Sequence, residues 1–224
     1  MMDWSPIYIS MKTASLSILI TFFIGLLVAW AIVEMKNDKI KIALDSIFTL
    51  PLVLPPTVVG FFLLWTFGVR GPIGKFFLEF FAVKIAFSWY ATVIAAVVMS
   101  FPLMYRSARG AFEQVDTNLL DAGRTLGMSE WKIFRKVLFA NALPGIISGG
   151  ILAYARGLGE FGATAMLAGN IAGQTRTLPM AVYSDVAAGN MASAFNYVIV
   201  IVVIAFVAIS LMDYIAIRQD RQWK

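Results

Sequence analysis

The chain has 224 residues, 18 of them basic and 13 acidic, so only 14% carry charge against roughly 25% in an ordinary soluble domain. Mean hydropathy is +0.80. Five charge-free stretches of 19 to 27 residues make up half the chain, and roughly 20 apolar helical residues cross a bilayer core, so a soluble protein is excluded. Histidine and cysteine are both absent, which excludes disulfides, thiol chemistry, Cys/His zinc sites, haem held by those residues and a histidine general base.

The first stretch, Thr13–Val33, ends near Ala29-Trp30-Ala31, a small-x-small pattern like a signal-peptide cleavage site. The apolar run is too long for that, and Lys12, the only basic residue before it, is cancelled by Asp3. It is expected as a retained span at about 11–34. The second span, about 46–69, contains Leu50-Pro-Leu-Val-Leu-Pro-Pro-Thr-Val-Val-Gly60. Its prolines remove backbone donors and clash with the preceding turn, so the helix must kink or start late, and the freed carbonyls need a neighbour or a water-lined cavity. Pro55, Pro56 and Thr57 are therefore candidates for a translocation pathway. A third span is expected at about 86–108.

Residues 109–136 form a long loop. Arg106 to Lys136 holds 10 of the 31 charges, far more chain than a simple return needs. It reads as two short helices: Asp116, Thr117 and Asn118 offer N-caps, Leu119, Leu120, Ala122 and Leu126 an apolar side, and Gly127 a left-handed stop. Ser129 is expected to cap the second helix, which leads through Trp131, Ile133 and Phe134 into span four. A capped helix tethered at both ends by spans can transmit a push. The competing expectation is a helix lying on lipid headgroups.

Span four, about 137–165, is interrupted by Arg156 and Glu160. Their i,i+4 spacing puts them on one helix face, and intramembrane charges ordinarily face the interior or water. They are either pathway residues, together with Thr164, or a neutralising pair at the outer interface. Gly145, Gly149, Gly150, Gly157, Gly159 and Gly162 keep this helix thin for close packing. A connection from about Gly169 to Asn190, able to hold a short interfacial helix, leads to span five at about 192–213. Lys and Arg number 12 in the connections after spans one and three and in the tail, and 6 elsewhere. The positive-inside rule then places the N-terminus outside and the C-terminus in the cytoplasm. The expected architecture is an all-α polytopic membrane protein, one transmembrane domain over residues 1–224. The basic loops are explained by the cytoplasmic face, so no nucleic-acid partner is expected.

Asp121-Ala-Gly-Arg-Thr-Leu-Gly127 and the segment after it resemble the "EAA" loop of binding-protein-dependent ABC importer permeases: Glu-Ala-Ala, three residues, Gly, nine residues, Ile-x-Leu-Pro. Ala122 and Gly127 match at the right spacing. Asp121 replaces Glu and Gly123 the second Ala, while Val137, Phe139 and Ala140 replace Ile, Leu and Pro. The Pro-rich run Leu50–Gly60, Ser100-Phe-Pro-Leu-Met104, Ala155-Arg-Gly-Leu-Gly-Glu-Phe-Gly-Ala-Thr164 and Gln174-Thr-Arg-Thr-Leu-Pro179 look like the molybdate permease family, with sulfate permeases as the neighbouring alternative.

The resemblance implies a type I ABC importer permease in the inner membrane of a prokaryotic cell. Two copies would form a homodimer with the pathway between them. A cytoplasmic ATPase dimer, which binds the ATP and Mg²⁺, would receive the helix Asn118–Gly127: Asn118, Leu119, Asp121, Ala122, Gly123, Arg124, Thr125, Leu126 and Gly127. A periplasmic or lipid-anchored binding protein would deliver molybdate or tungstate. The chain itself is expected to hold no metal, cofactor or catalytic residue. Its nearest approach to a Walker A, Gly68-Val-Arg-Gly-Pro-Ile-Gly-Lys75-Phe76, has Phe76 where Ser or Thr must meet Mg²⁺. An ATP-independent secondary transporter would leave the long loop without a role and normally shows repeats, which this sequence lacks. Asp121-Ala-Gly-Arg124 only superficially resembles phosphotransferase aspartate motifs, since it has no cluster of further aspartates after it.

Overall fold

A computed structural model describes residues 3–220. Eleven α-helices and one π-helical turn order these residues, with no strand among them. The first helix, α1 (Ser5–Val33), starts six residues before the expected boundary. Asp3 accepts the Ser5 N–H (2.9 Å) and hydroxyl (2.8 Å), and Pro6 sits in the first turn. Lys12 is thus carried inside the helix, its ammonium 3.8 Å above the Trp89 ring.

α5 (Trp89–Glu113) lies beside α1. Thr13 pairs with Thr92 (2.9 Å) and Thr21 with Ser100 (3.2 Å). Both pairs are 79 residues apart, so the two helices run parallel. Hydroxyl pairs of this kind satisfy each other where lipid offers no partner. The fourth span and its lead-in run as α7 (Glu130–Ile133), a π-helical turn (Phe134–Leu138) and α8 (Phe139–Leu158). α8 is antiparallel to α5, with Gly145 against Ala111, Gly149 against Ser107 and Gly157 near Ala96. A Cβ on Gly149 would stand 2.4 Å from that of Ser107, so the close approach requires glycine. α1, α5 and α8 enclose Ala29, Ile32, Met104, Tyr105, Ala108, Phe112, Ala142 and Ile146.

Span two is not the single kinked helix expected at 46–69. α2 (Asp38–Val53) climbs antiparallel along α5 and α3 (Pro56–Phe67) leaves at a bend of 113°. Leu54 and Pro55 are extended between them, because a residue before proline avoids the helical region and Pro56 has no N–H to continue the ladder. α3 packs on α9 (Gly162–Leu167), enclosing Val59, Leu63, Ala91, Ala95, Met99, Ala163 and Leu167. Span four is corrected likewise: the helix ends at Leu158 and the chain turns through Gly159, Glu160 and Phe161 before α9. The connection after it does contain a short helix, α10 (Leu178–Ala187).

α4 (Pro72–Phe81) and α6 (Thr117–Thr125) lie at opposite ends of the bundle, and α11 (Met191–Asp220) closes it against α8 and α10. Phe195, Val202, Val203 and Phe206 of α11 are exposed, an apolar surface suited to lipid. Among the described residues four helices are long and apolar enough to cross a bilayer, and the bent α2–α3 pair, counted as one span, makes a fifth.

Candidate functional site: the α6 end and the α8–α9 joint

α6 stands at the end of the bundle where α5 leaves and α7 returns. Asp116 caps it by accepting the Asn118 N–H (2.9 Å). At the other end the Leu126 N–H bonds the Ala122 carbonyl and Gly127 takes φ +71°, which costs glycine little. Ser129 accepts the Lys132 and Ile133 N–H groups through its carbonyl, not through the hydroxyl cap expected of it.

Of the nine coupling candidates only Gly123 is buried, against Ile133. Asn118, Leu119, Asp121, Ala122, Arg124, Thr125, Leu126 and Gly127 all face outward. Leu126 is 80% exposed, an apolar side chain offered at the tip of a polar turn. Arg124 ties α6 to α7: its guanidinium donates to Asp121 (2.8 Å) and with two nitrogens to Glu130 (2.9 and 3.2 Å). The Glu130 carboxyl is held below its ordinary range, chiefly by the hydrogen bond from Arg124. Trp131 stacks on Phe134 (5.4 Å, 20°), and Phe134 meets Trp30 of α1 at a tilt (4.7 Å, 44°). The rings of Trp131 and Phe134 thus connect the α6–α7 corner to Trp30 of α1 and Phe139 of α8.

The second constellation is the α8–α9 joint. Arg156 donates to Glu160 (2.6 Å), whose other oxygen accepts the Ala163 N–H (2.7 Å). Glu160 is 2% exposed, so this is not a pair snorkelling at the interface. The carboxylate caps the freed first turn of α9 while the guanidinium neutralises it. Pro56 and Thr57 meet Gly162 where α3 begins. The α3–α9 contact thus assembles Pro55, Pro56 and Thr57 with Glu160 and Thr164. Pro55 and Thr57 are exposed, whereas Thr164, like Glu160, is enclosed, so these last two are not open lining residues of the single chain. The Walker look-alike is the α3–α4 turn, where Lys75 pairs with Glu79 (3.7 Å).

Residues 21–221 match the family described as the inner membrane component of binding-protein-dependent transport systems. The chain belongs to that family. The molybdenum transport system permease protein ModB of Escherichia coli (strain K12) is 42% identical over 96% of this chain and 93% of its own. The putative molybdenum transport system permease protein YvgM of Bacillus subtilis (strain 168) is also 42% identical, over 91% and 89%. Among solved structures, the inward-facing MetNI methionine ABC transporter aligns with a TM-score of 0.73 at 19% identity, covering 94% of this chain and 93% of that one. A bacterial ABC transporter involved in alginate import aligns at 0.76 with 14% identity, covering 96% and 78%. The permease fold of type I ABC importers is thereby shown, and the chain is a multi-pass inner-membrane transport component.

One cluster in this permease escapes sequence reasoning. Asp45 of α2 accepts from Arg109 (2.5 Å) and from the Tyr105 hydroxyl (2.8 Å), while Glu113 receives Arg109 (2.9 Å) and Lys41 (3.5 Å). It fastens α2 to the α6 end of α5. Only the i,i+4 spacing of Arg109 and Glu113 signalled any of it.

Proposed function

We propose that the chain is the permease subunit of an ATP-driven importer of molybdate or tungstate and has no catalytic site of its own. It works as a homodimer with the pathway between the copies. A cytoplasmic ATPase dimer drives it and a periplasmic or lipid-anchored binding protein supplies it. The observation that carries this reading is α6, a capped helix that rests on the bundle through Leu120 and Gly123 and turns all but one of its candidate contacts outward. A helix serving only to return the chain has no need to offer apolar side chains to solvent. This one presents Leu119, Ala122 and Leu126 as a surface for a cleft. The excess of basic residues around it places that face in the cytoplasm, where ATP is.

In this mechanism ATP-driven closure of the ATPase moves α6. Arg124 passes the movement to Glu130 and so to the helix Glu130–Leu158, and the π-helical turn gives that helix a point at which to rotate. The oxyanion assignment rests on the two molybdenum permease relatives. It accords with Glu160, whose carboxylate is fully engaged and leaves no bare negative charge to repel a dianion. A conduit needs weak transit contacts, and the exposed Thr57 hydroxyl is one such donor.

The test is uptake of labelled molybdate into vesicles holding this chain, its cognate ABC ATPase and the binding protein. Uptake that requires internal ATP and saturates with the loaded binding protein is expected. No co-purifying ATPase, together with uptake indifferent to ATP, would sink the importer reading and leave a secondary transporter.

A further inference from the structure

A groove of about 660 Å³ runs between α5 and α8 toward α6. Arg106, Ser107 and Gln114 line one wall, Asn141 and Ser148 the other, and Asp116 the rim. Polar side chains at this density do not face lipid tails without cost. Ser107 packs on Gly149, which fixes the depth of its neighbour Arg106. Arg106 stands near the cytoplasmic end of the span expected at about 86–108, where the groove opens toward α6.

The charges around the groove are distributed unevenly. Arg109, three residues on, is held by Asp45 and Glu113. Arg156 is held by Glu160. Lys12 rests on the Trp89 ring. Arg106 is exposed and, among the described residues, has no carboxylate within ion-pair distance. The one acidic residue of the groove, Asp116, sits at the rim with an oxygen committed to the Asn118 N–H. A cation left without an ion-pair partner at the cytoplasmic end of a span, in a polar cleft lined chiefly by hydroxyl and amide groups, is a binding element for an anion.

The geometry points to Arg106 as the residue that contacts the permeating tetrahedral oxyanion at the cytoplasmic end of its path, with the α5–α8 groove of each copy as one wall of that path. This rests on the importer reading. The planar guanidinium presents paired N–H donors that match two oxygens of such an anion. A single cation flanked by neutral donors holds the ion briefly and lets it leave. Charge selection would thus lie in the permease as well as in the binding protein.

The chain has no cysteine, so Arg106→Cys introduces a unique thiol on it. In the vesicle assay, Arg106→Cys is expected to lower molybdate uptake about tenfold or more, the scale of one charge-assisted hydrogen bond, and Arg106→Lys to retain most of it. Treatment with a cationic aminoethyl thiosulfonate should restore uptake to Arg106→Cys, and an anionic sulfonatoethyl reagent should not. Excess molybdate should slow the modification. Restoration by charge separates this role from a folding defect, which a reagent added afterwards does not repair. Unchanged uptake by Arg106→Cys, or equal effects of the two reagents, overturns the proposal while the importer reading stands. A thiol that reacts in detergent but not in vesicles marks a lipid-facing arginine and overturns it as well. If the unsubstituted complex takes up no molybdate, tungstate or sulfate, the importer reading falls and this inference with it.

Discussion

Two arginine–carboxylate pairs, one at each functional end of the bundle, use the same chemistry in opposite surroundings. Arg124 bridges Asp121 and Glu130 with side chains 49%, 67% and 72% exposed. Arg156 meets Glu160, whose side chain is 2% exposed. Exposed pairs gain little because water and salt screen them, so α6 is aligned by its pairs without being locked. The buried pair can be broken only by stranding a charge, so the α8–α9 turn is rigid. The end proposed to meet the ATPase is adjustable, and the α8–α9 end is fixed.

The sharpest way to break this comparison is to load the adjustable end. Ala122 is exposed and touches none of the core, so Ala122→Asp should leave the thermal midpoint in detergent unchanged. In the complex it would bury an unpaired carboxylate against the ATPase, and losing several kcal/mol of docking should cut uptake about a hundredfold. Normal uptake and normal ATPase co-purification would show that α6 is not the docking element. At the fixed end, Glu160→Ala strands Arg156 and the Ala163 N–H. A loss of about 3 kcal/mol is expected, at the low end of the range because Arg156 is partly exposed. It should appear as a lower unfolding midpoint of the detergent-solubilised chain, and an unaltered midpoint would mean that the joint is not held by this pair.

Much of the adjustable end could be read in advance and little of the fixed one, for a physical reason. Caps and stops are local: Asp116 and Gly127 act on residues within a turn of themselves, so their chemistry is visible in a short window. Spacing alone put Arg156 and Glu160 on one face, yet it pointed equally to a solvated pair. What decides is that the helix stops at Leu158, freeing a backbone N–H at Ala163 for the carboxylate. The prolines at 55 and 56 announced a break but not its angle, which is set by α3 packing on α9. The link from Asp45 to Tyr105 joins residues 60 apart, beyond any local pattern. Arg106 was one charge among ten in the loop region until the partners of its neighbours were known.

The same α3–α9 contact gives a smaller effect. A Cβ on Gly60 would stand 2.8 Å from the Ala163 Cα and from the Met166 Cβ. Backbone cannot yield as a flexible side chain does, so Gly60→Ala should cost about 1–3 kcal/mol by overpacking. The same midpoint measurement checks it. A cost near zero would show that α3 can slide on α9, and the joint would then be mobile.

The mildest perturbation is acid at α6. Glu130 is held below its ordinary pKa, chiefly by the Arg124 hydrogen bond. A carboxyl lowered on folding contributes to stability above its unfolded value, and that contribution is lost as pH falls through the lower, folded value. The α6–α7 junction should therefore be tightest above the ordinary glutamate pKa and loosen progressively as pH falls from that value to the lower, folded one. Backbone amide exchange at Leu126, Gly127 and Met128, taken relative to the unfolded rates at each pH, should be flat and then rise. Glu130→Gln should remove that rise and leave exchange raised slightly at every pH, as befits an exposed pair. Exchange that stays flat as pH falls below the ordinary glutamate pKa, or a rise that survives Glu130→Gln, would mean that Arg124 does not join the two helices and that α6 is held to α7 by the Gly123–Ile133 contact alone.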